Sequence, residues 1–209
     1  MHLRPQRWAR NVNRVKRWIF IAIALAGAWY GWPQGKISHR PGVLAAAAPK
    51  QTALGDAVPA LKKAGYEIQP LARFELEARV LGVERYYFDR GADLSPVDLA
   101  LGWGRMSDTS VLDHIEISQS GRYYYWSTPA YPLPRTEIET SSANMHMVAG
   151  NQGVAHQLKA VRPGHIVRLS GFLIEARGVD GWRWRSSLAR NDTGSGACEL
   201  VWVQRLELR

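Results

Sequence analysis

An apolar stretch near the start of the chain, from Trp18 to Trp32, constrains the fold more than any other feature. Its 15 residues carry no charge, and the 17 residues before it contain six basic residues and no acidic one. A basic leader followed by an uninterrupted apolar run is typical of a signal peptide or a signal anchor. The globular core is therefore expected to come from the residues behind this stretch.

The apolar stretch predicts a single-pass transmembrane anchor over residues 18–33. Its length is slightly below the roughly 17–25 residues of a spanning helix. No polar region suited to cleavage follows it directly, although the small residues at 24–26 and 45–48 offer cleavage sites. A cleaved signal peptide and a peripheral or buried helix remain alternatives. Aromatic side chains at both ends are predicted to lie at the membrane interface, as aromatic belts do: Trp18, Trp29, Tyr30 and Trp32.

The charge of the leader predicts the orientation of the anchor. Basic residues flank membrane spans on the cytoplasmic side, so residues 1–17 are predicted to be cytoplasmic. Everything after the anchor would then lie on the other side, which is the periplasm if the chain sits in a bacterial inner membrane. The first predicted partner is accordingly the lipid bilayer, contacted through residues 18–33.

The net charge of +9 belongs to the first third of the chain. Residues 1–69 carry 11 Lys and Arg against two acids, whereas residues 70–209 carry 16 of each sign. Nucleic-acid-binding domains need surplus positive charge on their own surface to displace counterions. The neutral folded part therefore argues against nucleic acid as a partner.

Cysteine and histidine usage constrains covalent and metal chemistry. Cys198 is the single cysteine, so the chain has no intrachain disulfide, and its six histidines form no close metal-ligand pair. The sequence predicts no metal site and no cofactor.

Residues 33–72 contain five prolines, four glycines and four consecutive alanines. This composition predicts a flexible linker over residues 34–71. After this segment the sequence changes to alternating apolar and charged residues, which predicts a folded domain over residues 72–209.

The predicted domain is mainly β with short helices. Apolar and charged residues alternate from Phe74 to Phe88, which indicates strands interrupted near Gly82. Ser95 and Pro96 resemble a helix start, Glu137 to Thr140 reads as extended, and Asn151 resembles the cap of a helix over residues 152–161. Strands are predicted over 165–177, 182–188 and 199–208. The order of several strands, one helix and three further strands favours a small Greek-key β-barrel of the oligonucleotide/oligosaccharide-binding (OB) type. Gly171, within the strand predicted at 165–177, would allow the sharp bend that such a barrel needs. Another mixed β-barrel or sandwich is the alternative.

Three segments, DLALGWGRMSD (98–108), IETSSANMHMV (138–148) and GWRWRSSLARNDTGSGACELVWV (181–203), carry a resemblance. They resemble stretches of uncharacterised bacterial membrane-anchored proteins. The resemblance implies a bacterial source and a domain over most of residues 72–208. It implies no activity and assigns no functional residue.

Two residues are weak catalytic candidates. Asp192 opens the tetrapeptide Asp-Thr-Gly-Ser of aspartic proteases, but that chemistry needs two such carboxylates, and the residues before it are polar. His146 lies among serines and an asparagine, yet no nucleophile-elbow motif is present. Both candidates would serve an envelope hydrolase acting on peptide or peptidoglycan.

Aromatic residues beside arginines predict a binding surface. Four aromatic residues are consecutive at 123–126, and two tryptophans alternate with two arginines at 182–185. Such groups anchor interfaces and stack on sugars or bases; the alternative is that they fill the core. The predicted surface comprises Tyr123, Tyr125, Trp126, Trp182, Trp184, Arg183 and Arg185.

Taken with the anchor, this surface predicts a membrane-anchored, non-catalytic binding or assembly module of a bacterial cell-envelope complex. Its partner would be an envelope protein or a second copy of the chain. The hydrolase and a nucleic-acid-binding barrel are the alternative functions.

Overall fold

The computed structural model describes residues 16–22, 35–55, 58–189 and 198–209. It separates into two units, residues 1–35 and residues 36–209. In the first unit, residues 16–22 are helical, while the rest of the predicted anchor, residues 23–33, lies outside the described residues. Within the described ranges, no helix is long and apolar enough to cross a membrane.

The second unit is mainly β sheet with a few short helices, as the sequence predicts. Its elements are listed here in chain order: β1 (Lys50–Ala53), β2 (Leu61–Lys63), β3 (Tyr66–Arg85), β4 (Val97–Gly102), a 3-10 turn (Gly104–Ser107), α1 (Thr109–Leu112), β5 (Glu116–Ser120), β6 (Tyr123–Ser127), α2 (Arg135–Thr140), β7 (Ser142–Ala149), α3 (Gln152–Ala160), β8 (Ile166–Arg177), β9 (Arg183–Arg185) and β10 (Glu199–Leu208).

Five of these strands close into a ring. The order around it is β3, β4, β7, β10 and β8, and β8 pairs with β3 to complete the circuit. All neighbours are antiparallel except β7 and β10, which are parallel. β1 and β2 extend β3, β9 extends β8, and β5 with β6 forms a separate hairpin.

Alternation along the strands builds the interior of the ring. Phe74, Leu76 and Ala78 of β3 are fully or almost fully buried in the main core, while the charged residues between them are exposed or half-buried. Such a period of two places successive side chains on opposite faces of a strand. Val154 and Leu158 of α3 pack into the same core, so this helix covers part of the interior.

Irregularities in the strands allow the ring to bend. The pairing of β3 with β4 shifts register between Val80 and Gly82, at the position where the sequence predicts a bulge. The pairing of β8 with β10 shifts between Val203 and Arg205. Opposite this second shift, a Cβ at Gly171 would lie 1.9 Å from the carbonyl oxygen of Trp202, so only glycine fits there.

Two local predictions are wrong. Residues 97–102 form strand β4 and not a helix, because this segment pairs with β3 on one side and with β7 on the other. The Ser95 hydroxyl donates to the carbonyl of Met147 instead of capping a helix. Residues 137–140 belong to helix α2 and are not extended.

The helix predicted at 152–161 is confirmed as α3. The side-chain oxygen of Asn151 accepts a hydrogen bond of 3.0 Å from the backbone N–H of Val154. This is the contact that the predicted cap makes.

The segment predicted as a linker, residues 34–71, contains β1, β2 and the start of β3. Its first part contacts the ring and its loops: the Ile37 N–H donates to the carbonyl of Pro163. The Ala45 N–H donates to the Ser107 hydroxyl. Ala45 is 1% exposed, so this stretch lies against the folded unit.

Candidate binding site on the outer face of β4 and β7

A pocket of about 470 Å³ lies on the outer face of the ring, over β7 and beside β4. Asp98 of β4 and His146 of β7 are register partners. Their neighbours in sequence, Val97, Leu99, Met145 and Met147, belong to the interior core, so Asp98 and His146 point the other way. The walls of the pocket come from the β3–β4 loop, the turn of the β5–β6 hairpin, the segment around β9 and the residue just before β10. The lining residues are Asp89, Arg90, Gly91, Gly121, Arg122, Tyr123, His146, Trp182, Arg183, Trp184, Arg185 and Cys198.

A buried carboxylate lies beneath the pocket. Asp98 is fully buried, and its Oδ1 accepts a hydrogen bond of 2.9 Å from Nη1 of Arg122. Its Oδ2 lies 2.9 Å from Nδ1 of His146. Nδ1 of His146 is itself buried, so the site holds an imidazole nitrogen within ion-pair distance of a buried carboxylate.

Arg122 connects the hairpin to the ring. It follows the turn glycine and has a positive φ of 73°, which is uncommon for a residue with a side chain. Its guanidinium donates to both oxygens of Asp89, at 2.8 and 2.9 Å, and to the carbonyl of Ser95. The same group stacks 3.6 Å above the ring of Tyr86. These contacts fix the hairpin turn over the outer face of β4.

Polar contacts from β7 hold the same hairpin. Asn144 donates to the carbonyl of Arg122 at 3.0 Å, and Gln119 donates to the side-chain oxygen of Asn144 at 2.7 Å. The hydroxyls of Tyr124 and Ser142 lie 2.7 Å apart. Burial raises the pKa of Tyr124 to about 12, against a smaller lowering by its bond to Ser142. The Tyr124 hydroxyl therefore stays protonated and neutral at ordinary pH.

The tryptophans of the β9 segment form an aromatic wall. The ring of Trp184 lies 4.6 Å from that of His146 and 5.9 Å from that of Trp182. Trp182 in turn lies 5.0 Å from the ring of Tyr66. Both tryptophans are half-buried, so each packs on the fold with one part and lines the pocket with another.

The two arginines of β9 lie beside a second buried carboxylate. Oε2 of Glu175 accepts hydrogen bonds of 2.6 Å from both Arg183 and Arg185, and Oε1 accepts one of 2.5 Å from Arg177. Glu175 itself is fully buried. Burial alone would raise the pKa of Glu175, but the hydrogen bonds from Arg183, Arg185 and Arg177 lower it to about 2. We call these three arginines with Glu175 the arginine cluster.

The structure divides the predicted binding surface between two pockets. Tyr123 lines the pocket over β7 together with both tryptophans and both arginines of residues 182–185. Tyr125 and Trp126 instead line a second pocket of about 450 Å³, with Tyr131 and Arg135. The aromatic residues separate by their position along β6: Tyr123 begins the strand beside the hairpin turn, whereas Tyr125 and Trp126 lie further along it.

The predicted catalytic and interface residues have different outcomes. His146 lies in the pocket over β7, and Cys198 lines the same pocket, whereas Asp192 lies outside the described residues. Trp18 belongs to the described helix and is 67% exposed; Trp29, Tyr30 and Trp32 lie outside the described part. No group of three or more His, Cys, Asp or Glu side chains among the described residues is placed to hold a metal ion.

Three residues that matter to the site were missed from the sequence. The sequence motifs single out none of Asp98, Arg122 and Glu175 as a functional residue. A signal existed for Glu175, because an acid within the apolar run Phe172–Ala176 requires a partner if that strand is buried. No signal at the sequence level indicated that Arg122 reaches Asp98.

The side chains around the pocket can stack on apolar or aromatic groups and donate charged hydrogen bonds, and the His146 imidazole lies 2.9 Å from a buried carboxylate. Comparison with known proteins adds no assignment, because no family model, curated protein or solved structure matches this chain.

Proposed function

We propose that the chain is a non-catalytic binding module built on an OB-type barrel. Numbered along the chain, the ring strands β3, β4, β7, β8 and β10 are strands one to five, and their order around the ring is one, two, three, five, four. OB barrels are five-stranded Greek-key barrels that bind ligands on strands two and three, between the loop joining strands one and two and the loop joining strands four and five. This order is the support for the barrel.

One observation carries the proposed function: the pocket occupies the corresponding place. Asp89, Arg90 and Gly91 come from the loop between strands one and two. Residues 182–185 and Cys198 belong to the connection between strands four and five, and His146 to strand three. Binding at this position requires no catalytic group, only a shaped and polar face.

The partner we propose is a segment of another protein in the bacterial cell envelope. Tryptophan and arginine are the residues most enriched among interface hot spots, and the pocket holds two tryptophans and four arginines. The basic leader and apolar run support an anchor in the inner membrane, with the folded unit in the periplasm. The neutral charge of residues 70–209 favours a protein over nucleic acid.

Site-specific photocrosslinking in intact membranes tests this proposal. A benzophenone amino acid at position 123 would lie at the rim of the pocket, where Tyr123 is 42% exposed. The matched control is position 131, where Tyr131 is 57% exposed but lines the second pocket. We expect one discrete protein adduct from position 123 that is lost with Trp184→Ala. Adducts from position 131 alone, or none from either, would overturn the proposal.

A second candidate, the envelope hydrolase, has one observation in its favour. Cys198 and His146 line the same pocket, and His146 has the carboxylate of Asp98 at 2.9 Å. A thiol, an imidazole and a carboxylate are the components of cysteine nucleophile sites. Alkylation of Cys198 by iodoacetamide at pH 6 would distinguish the two functions. A hydrolase requires fast alkylation that His146→Gln abolishes, whereas the binding module predicts a rate near that of a free peptide thiol or slower in both proteins.

A further inference from the structure

We propose that the protein segment bound in this pocket is acidic, and that its carboxylates bind at the arginine cluster. This inference rests on the proposed function, because it names the chemistry of the partner at the same site.

The arginine cluster has more positive charge than its carboxylate neutralises. Arg177, Arg183 and Arg185 share the single negative charge of Glu175. Among the described residues, Glu175 is the only acid within 4.0 Å of any of the three guanidinium groups. Two positive charges at this rim are therefore without a close counter-charge in the described part of the chain.

The three guanidinium groups also retain unused donors. Each bonds to Glu175 through one nitrogen only, whereas a guanidinium carries five N–H donors. Their side chains are about half exposed, at 58%, 56% and 46%. The inner face of the cluster is thus held by the buried carboxylate, and the outer face remains open to a second, external carboxylate.

The other arginines of the pocket do not offer the same opportunity. Arg122 is paired with both Asp89 and Asp98, and Arg90 is paired with Asp180. Among the described residues that line the pocket, the excess positive charge therefore lies at the β9 rim. A local excess of two positive charges matches one or two carboxylates of a ligand, whereas a nucleic acid backbone requires positive charge along its length.

The tryptophans indicate what lies next to the carboxylates. Trp184 separates Arg183 from Arg185 in sequence, and both tryptophans line the same pocket as these two arginines. A ligand at this rim would meet charged donors and aromatic rings within one short strand. A peptide in which acidic residues alternate with apolar ones presents the same two surfaces.

Fluorescence anisotropy with two labelled octapeptides tests the inference on the full chain. One peptide alternates glutamate with leucine, and the other alternates glutamine with leucine. We expect the glutamate peptide to bind at least tenfold more tightly. The double variant Arg183→Gln/Arg185→Gln should lose this preference, and added salt should reduce it.

A matched control comes from the same sheet. Arg168 lies on β8, is 61% exposed and is 4.0 Å from Glu77, so Arg168→Gln removes one positive charge outside the pocket. We expect its affinity for the glutamate peptide to be unchanged. Equal binding of both peptides, equal loss in Arg168→Gln, or tighter binding of a labelled twelve-nucleotide oligothymidine with a steep salt dependence would overturn the inference.

The two proposals fail in different ways. If position 123 yields its protein adduct but the glutamate peptide does not bind, the acidic partner is wrong and the binding module stands. If position 123 yields no adduct and the glutamate peptide also fails to bind, both proposals are refuted.

Discussion

Replacing Asp98 by asparagine should destabilise the protein. Asp98 is fully buried, accepts a hydrogen bond of 2.9 Å from Arg122 and lies 2.9 Å from the ring nitrogen of His146. Asparagine has the same shape but no charge. Its introduction would leave the Arg122 guanidinium, whose side chain is only 17% exposed, with one carboxylate fewer.

The structure sets the expected magnitude. Removing one member of a buried ion pair costs about 3–5 kcal/mol. Arg122 would keep both hydrogen bonds to Asp89, which is 40% exposed, and its bond to the carbonyl of Ser95. Asparagine would also still supply an acceptor oxygen. We therefore expect a loss of about 2–3 kcal/mol, or roughly 5–10 °C in Tm for a chain of this size.

Thermal and urea unfolding of the full chain, followed by circular dichroism, measures this loss. Asp180→Asn is the matched control, because Asp180 also pairs with an arginine, but both side chains are about half exposed. Exposed ion pairs contribute little, so Asp180→Asn should leave Tm within experimental error.

A double-mutant cycle checks the cause of the Asp98→Asn effect. If the cost comes from an unneutralised Arg122, the double variant Asp98→Asn/Arg122→Gln should lose less stability than the two single variants together. A loss below about 1 kcal/mol in Asp98→Asn, or strict additivity in the cycle, would refute the reasoning from burial and pairing.

The remaining predictions concern pH, the ring and its helix. The pKa of Glu175 is lowered from 4.5 to about 2, so its ionised form stabilises the fold fully above about pH 4.5, and this stabilisation is lost as the pH falls toward 2. The difference in free energy of unfolding between wild type and Glu175→Gln, measured with urea, should therefore shrink from pH 4.5 to pH 2 and stay constant above pH 4.5. Gly171→Ala would place a Cβ 1.9 Å from the carbonyl of Trp202 and should cost at least about 2–3 kcal/mol in the same assay. Asn151→Ala removes the bond to the Val154 N–H and should cost about 1 kcal/mol, with Asn151→Ser close to wild type.

Sequence patterns predicted the parts of the fold that depend on neighbouring residues. Alternation in residues 74–80 and the cap at Asn151 each reflect contacts within a few positions, so the part of β3 from Phe74 onward and α3 were predicted correctly. The same local reasoning was wrong at residues 95–102. There, the pairing of β4 with two neighbouring strands outweighs the helix-start signal of Ser95 and Pro96, because tertiary contacts override weak local preferences.

The candidate site was predictable only in its separate pieces. His146, the 182–185 segment and Tyr123 were each predicted as functional residues, and all of them line one pocket. Their convergence depends on the order of strands around the ring, which joins segments more than 20 residues apart in the chain. Tyr125 and Trp126 showed the same sequence signal but line another pocket, since composition does not specify which position along a strand lies beside which loops.

The two buried carboxylates explain why arginines can occupy this face at all. Asp98 and Glu175 are both fully buried and both accept hydrogen bonds from arginines that line the pocket. Their positions differ in one respect: Asp98 shares Arg122 with a second acid, whereas Glu175 alone serves three arginines. The first arrangement holds a hairpin in place, and its single arginine is paired with two carboxylates. The second leaves two positive charges at the rim without a close counter-charge among the described residues, and for this reason we propose that an acidic ligand would bind at that side of the pocket.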